Sequence, residues 1–184
     1  GFVDEREPEG HLTHHVGRVG LAERPISANL VKHLATVCQL HAPISVESLR
    51  RLKEDAPEIE IIKSVVFHRD APEPTIERAL ECSPWVDHFI TDTFDPATGA
   101  SGATGKTHDW SLSRALVLRS PRPVILAGGL TPVNVAEAIR AVAPAGVDVH
   151  TGVENADGNK ERAQVRAFVH AARDALGHSP SADL

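Results

Sequence analysis

Short apolar runs recur along the chain at residues 37–41, 59–66, 86–91, 123–127 and 146–150, with longer amphipathic stretches between them. The runs are rich in β-branched residues, and several are apolar at consecutive positions rather than alternating. Strands covered on both faces, as in a parallel sheet, read this way. Two fainter candidates, a strand tail at residues 1–4 and a weak run at 19–21, bring the count to seven. The intervening stretches have helical spacing. Ser45 is placed to cap a helix running to Lys53, with Val46, Leu49 and Leu52 on one side. Thr131 followed by Pro132 predicts a helix start, continued by Val135, Ala138, Ile139 and Val142. A last helix is expected from Lys160 to Leu176, built on Val165, Phe168, Val169 and Ala172 and stopped by Gly177. Strand-to-strand intervals of about 20 to 35 residues are those of βαβ units. No linker-like stretch interrupts them, so residues 1–184 read as one α/β domain.

Two architectures accommodate this pattern. A doubly wound sheet normally carries a Gly-x-Gly-x-x-Gly turn after its first strand, and none is present. A (β/α)8 TIM barrel needs eight units and roughly 200 or more residues, whereas this chain has 184 residues and seven candidate strands. A barrel lacking its opening piece fits that deficit. Pattern alone leaves the two open.

Composition narrows the function classes more than the fold. An apolar content of 41% with 24% charged residues describes a soluble globular protein. The formal charge of −6 leaves no basic excess for a general nucleic-acid binder. No apolar run reaches membrane-spanning length and the polar N-terminus has no signal-peptide pattern, so no membrane partner is expected. The two cysteines, Cys38 and Cys82, lack Cys-x-x-Cys partners and suit a reducing cytoplasm. Met and Tyr are absent, which points to a processed or incomplete chain.

Candidate chemistry gathers at the ends of the predicted strands. The run Ala127-Gly-Gly-Leu-Thr-Pro-x-Asn134 directly follows an apolar strand. Adjacent glycines Gly128 and Gly129 allow close backbone approach beside a helix start, a geometry suited to phosphate. In the next unit, Val147-Asp-Val-His-Thr-Gly-Val-Glu154, Thr151 and Gly152 are placed to add a hydroxyl and an N–H. Two successive strand ends with glycines match the phosphate site of barrels after strands seven and eight. Asp148 and His150, two apart, share a direction, which makes Asp148 a substrate-contact candidate. Asp92 ends the 86–91 strand, where a buried carboxyl is disposed to act as an acid, while Asp87 and Asp95 read as solvated turn residues. His41 and Lys63 end adjacent strands and are expected at the same mouth. The segment 99–107 reads as a lid; its Gly-Lys-Thr is not a P-loop because Ala100 stands where a glycine is needed. His11, His14 and His15 lack the spacing of a structural zinc site, so no metal is expected.

Together, Thr104-Gly-Lys-Thr-His-Asp-Trp-Ser111, Val124-Ile-Leu-Ala-Gly-Gly-Leu-Thr-Pro-x-Asn-Val135, Val147-Asp-Val-His-Thr-Gly-Val-Glu154 and Asp157-Gly-Asn-Lys160 resemble the phosphoribosylanthranilate isomerase family. Gln39-Leu-His41 and Ile62-Lys63 resemble the ends of its fourth and fifth strands. The resemblance implies a (β/α)8 barrel catalysing an Amadori rearrangement in tryptophan biosynthesis, without metal or cofactor, as a monomer or homodimer. It implies Asp92 as general acid and Gly128, Gly129, Thr151 and Gly152 as phosphate binders. Asp148, His41 and Lys63 become substrate contacts. It also implies that the first βα unit and much of the second helix are missing from the chain. With them go the family's Lys-x-Cys-Gly base and the arginine that meets the anthranilate carboxylate. Two alternatives stand beside this reading: a Schiff-base barrel enzyme using Lys63, and a phosphosugar-binding paralogue without a base.

Overall fold

Parallel pairing in chain order organises the sheet. In a computed structural model of the protein, residues 16–18, 36–67, 72–95, 100–101 and 109–177 are described. The strands are β1 (Val16–Arg18), β2 (Val37–Leu40), β3 (Glu60–Phe67), β4 (His88–Asp95), β5 (Ala100–Ser101), β6 (Val124–Leu126) and β7 (Gly146–Val147). The helices are α1 (Val46–Asp55), α2 (Pro72–Cys82), α3 (Trp110–Arg119), α4 (Val135–Val142) and α5 (Arg162–Ala175). Along the sheet the order is β1-β2-β3-β4-β6-β7, every pair parallel, with β5 returning antiparallel on β4. Right-handed crossovers between neighbours in this order place successive helices on one face. A doubly wound sheet instead reverses its order and covers both faces. The fold is therefore a partial (β/α)8 barrel.

Packing agrees with that layering. Ile61, Val65 and Phe67 of β3 join Leu49 and Leu52 of α1 and Ile76 and Ala79 of α2 in one core cluster. Leu126 of β6 joins Val135, Ala138, Ile139 and Val142 of α4 and Phe168 and Ala172 of α5 in a second. Gln39, Ser64 and Asp92, on β2, β3 and β4, are buried polar residues that belong to neither cluster.

Local chemistry sets the element ends. Ser45 caps α1, its side chain accepting from Ser48 N at 3.1 Å. Gly177, at φ 74°, follows α5 as expected. Elsewhere the boundaries move. Helical bonding in α4 begins at Val135, not Pro132, because residues 132–134 form a turn. Strand β7 stops at Val147, so Asp148 to His150 leave the sheet early. Strand β1, three residues long, has no counterpart among the apolar runs of the sequence. Residues 1–4, the 19–21 run, His11, His14, His15 and positions 102–107 lie outside the described residues. Among the described residues no helix is long and apolar enough to cross a membrane, and no group of three His, Cys, Asp or Glu is gathered for a metal.

Candidate functional site

One cavity at the C-terminal ends of the strands is lined by His41, Asp92, Gly128, Gly129, Asp148, His150 and Thr151, with Gln39 beneath. This is the end at which barrel enzymes hold their ligands. Asp92 is 6% exposed and lies within β4, which runs on to Asp95 instead of ending at Asp92 as expected, with Val66 of β3 paired beside it. His41 Nδ1 lies 3.5 Å from Asp92 Oδ2. Ser64 Oγ is 3.2 Å from the same Nδ1 and accepts from Gln39 Nε2 at 3.4 Å. A polar chain thus runs from β2 through β3 to the carboxyl on β4.

Opposite Asp92, the loop after β6 turns on Gly128 (φ 100°) and Gly129 (φ 63°), conformations that L side chains rarely adopt. Asn134 braces it. Its Oδ1 accepts from Thr131 N at 2.8 Å, Thr131 Oγ1 accepts from Asn134 N at 3.3 Å, and Asn134 Nδ2 donates to Gly129 O at 3.0 Å. The first two bonds form a reciprocal cap of the capping-box kind. Thr131-x-x-Asn134 spacing is visible in the sequence, but spacing alone does not show that the Asn134 amide also reaches back to Gly129 O. The N–H groups of Gly128 and Gly129 donate to nothing among the described residues.

The loop after β7 closes the cavity. Asp148 N donates to Leu126 O, and the exposed Asp148 side chain borders the opening. Thr151 and Gly152 begin a single 3-10 turn, Thr151–Val153. Gly152 is not on the cavity wall but packs against Leu130. Behind the turn, Glu154 Oε1 accepts from Lys160 Nζ at 2.6 Å and lies 3.2 Å from His150 Nδ1. The Lys160 hydrogen bond holds the Glu154 carboxyl below its usual range.

Lys63 departs from expectation. It does not line the Asp92 cavity but faces a second one with α2 residues Thr75, Arg78 and Cys82. Its Nζ donates to Leu40 O at 3.2 Å, Ala42 O at 3.3 Å and Ser64 O at 2.8 Å. Burial pushes its pKa down. The thiols of Cys38 and Cys82 are buried, which raises both, and neither lines the Asp92 cavity.

Residues 25–171 match the family model described as N-(5′-phosphoribosyl)anthranilate (PRA) isomerase. The chain belongs to the phosphoribosylanthranilate isomerase family. It is 46% identical to N-(5′-phosphoribosyl)anthranilate isomerase 2 of Methanosarcina mazei over 139 residues, which is 76% of this chain and 60% of that protein. The crystal structure of the Thermotoga maritima phosphoribosyl anthranilate isomerase is similar, with 34% identity and a TM-score of 0.60 over 76% of this chain and 62% of that one. A further isomerase was solved in complex with reduced 1-(o-carboxyphenylamino)-1-deoxyribulose 5-phosphate. It is 31% identical, with a TM-score of 0.58 over 76% of this chain and 60% of that one. The chain thus spans about three fifths of the length of these relatives. In this chain Asp92, Gly128, Gly129 and Thr151 line one cavity and Lys63 lines another.

Proposed function

We propose that this chain acts as a phosphoribosylanthranilate isomerase, converting N-(5′-phosphoribosyl)anthranilate to 1-(2-carboxyphenylamino)-1-deoxyribulose 5-phosphate. The observation that carries the reading is a single cavity shared by a buried carboxyl on β4, Asp92, and the positive-φ glycines Gly128 and Gly129. In this reading the backbone N–H groups of Gly128 and Gly129, with the Thr151 hydroxyl, bind the phosphate, and Gly152 lets the Thr151 turn lie against Leu130. Asp148 and His41 face the sugar. The protonated Asp92 carboxyl donates to the ribose ring oxygen as the C1–O bond breaks, and the nitrogen lone pair forms the C1=N bond. A base then takes the C2 proton, giving an enolamine. Protonation at C1 and loss of the C2 hydroxyl proton yield the ketone, an isomerisation balanced without oxidant or reductant. No described residue is assigned as that base.

A second reading, a phosphosugar-binding paralogue, is favoured by one observation: neither thiol of the chain lines the cavity. Loss of anthranilate-type fluorescence on turnover separates the two. The isomerase reading expects turnover that Asp92→Asn lowers about a hundredfold or more, with competition by inorganic phosphate unchanged. Equal turnover in Asp92→Asn overturns the acid assignment. Phosphate binding without turnover at any enzyme concentration selects the second reading.

A further inference from the structure

Lys63 and Ser64 are consecutive on β3, yet both converge on His41. From the helix side, Lys63 Nζ holds the carbonyls of Leu40 and Ala42, the two residues that flank His41. A third bond to Ser64 O completes its set of three donors. With three carbonyl acceptors, Lys63 has no N–H left for a substrate. What it does is fix the backbone that carries the imidazole. On the other side, Ser64 Oγ meets His41 Nδ1 at 3.2 Å and is itself held by Gln39. The ring is therefore restrained through its backbone and through its edge, by neighbouring residues of one strand.

The state of the ring follows from burial. His41 Nε2 is buried and has no partner among the described residues. A buried N–H without an acceptor is costly, and orphaned buried donors are rarer than orphaned acceptors. The favoured neutral tautomer therefore carries its proton on Nδ1, the nitrogen 3.5 Å from Asp92 Oδ2. The Ser64 hydroxyl, donor and acceptor at once, accommodates the ring whether or not Nδ1 bears the proton. A separation of 3.5 Å is long for a hydrogen bond, and catalytic bonds of this kind commonly shorten when substrate binds.

We infer that Lys63 and Ser64 are positioning residues that hold His41 with Nδ1–H toward Asp92, so that His41 donates to the carboxylate formed when Asp92 delivers its proton. The inference rests on the assignment of Asp92 as the acid, and it gives Lys63 a role other than substrate contact.

Two measurements test it on the purified chain. In turnover of N-(5′-phosphoribosyl)anthranilate, Ser64→Ala lowers kcat about tenfold, the size of one charge-assisted hydrogen bond, with KM unchanged. Ser64→Thr, which keeps the hydroxyl, restores it. Lys63→Met lowers kcat in the same way; if it does not fold, Lys63→Gln, which keeps donors toward the carbonyls, takes its place and loses less. Independently of turnover, nitrogen NMR of His41 finds the proton on Nδ1 in the unmodified protein and a shifted tautomer balance in Ser64→Ala. A proton on Nε2 in the unmodified protein overturns the inference, as does Ser64→Ala with unchanged kcat and tautomer. No turnover in the unmodified protein, with the Nδ1 proton in place, overturns the isomerase reading instead.

Discussion

A Cβ on Gly152 would stand 1.8 Å from the carbonyl oxygen of Leu130 and 2.9 Å from its carbon. The loop after β7 thus lies directly on the loop after β6, and the two proposed halves of the phosphate site form one layer. Gly152→Ala must move backbone, since the obstructing atoms are main chain. The expected cost is about 1–3 kcal/mol of stability, together with at least about tenfold weaker competition by inorganic phosphate. Thermal unfolding and inhibition measurements check both. An alanine variant indistinguishable on both counts would remove the idea of a shared layer.

Asn134 separates a cap from a brace. Asn134→Ala removes the bond from Thr131 N and the bond to Gly129 O while keeping the backbone bond from Asn134 N to Thr131 Oγ1, lowering stability by about 1 kcal/mol, or roughly 2–4 °C in Tm. Asn134→Asp keeps an acceptor for Thr131 N but loses the donor to Gly129. It should recover much of the Tm while leaving phosphate affinity as low as in the alanine variant. Equal recovery of both quantities would show that the Gly129 bond contributes nothing to the loop.

At the other end of β4, Asp87 serves stability. Its Oδ2 accepts from Lys53 Nζ at 2.7 Å and Ile61 N at 2.8 Å, and Lys53 also donates to Ile59 O. Burial raises its pKa, but the Lys53 ammonium and the Ile61 N–H outweigh that and hold it below its ordinary 3.8. A carboxyl depressed on folding adds stability above its unfolded pKa, about 3.9, and loses it as pH falls through the folded value. Stability should therefore decline on acidification below about pH 4, and Asp87→Asn should flatten that decline. At pH 7 the variant loses about 1 kcal/mol or less, because the Lys53 and Asp87 side chains are both partly exposed. Urea unfolding at pH 7 and pH 3 compares the two slopes; identical slopes refute the assignment.

Lys160 holds the last loop from outside. Its Nζ donates to Glu154 Oε1 and to His150 O, both at 2.6 Å. Lys160→Met frees the Thr151–Val153 turn from this anchor. Substrate KM is expected to rise several-fold with kcat unchanged, as for a contact made equally in ground and transition states. A fall in kcat at constant KM would place Lys160 in the chemical step.

Much of this arrangement was legible because consecutive βα units carry their polar residues to the same end of a barrel. Gly128, Gly129, Asp148 and Thr151 fall together because they follow consecutive strands, and Asp92 joins them although β4 runs on to Asp95. Lys63 did not follow, because a strand end fixes position along the axis but not the face. Ile61, Val65 and Phe67 share the helix-facing side with Lys63, yet Ile62 and Val66 are also apolar, so alternation on β3 marks no inside. Asp87 read as a turn residue because its partner, Lys53, lies 34 positions away. Gly152 read as an N–H donor, whereas its steric demand comes from a neighbour in another unit.

Thr91 ties the two halves of the cavity together. Strands β4 and β6 share only the pairs Phe89–Val124 and Ile90–Ile125. One position further on, the fully buried Thr91 hydroxyl donates to Ala127 O at 3.1 Å and accepts from Ala127 N at 2.9 Å. A side chain here stands in for a missing rung of the ladder, at the last residue before the glycine turn. The span between Asp92 and Gly128 is thereby fixed by the protein's own bonds. A ligand bridging them meets a ruler already cut to length, and its capture rate carries no waiting time for that seam to form.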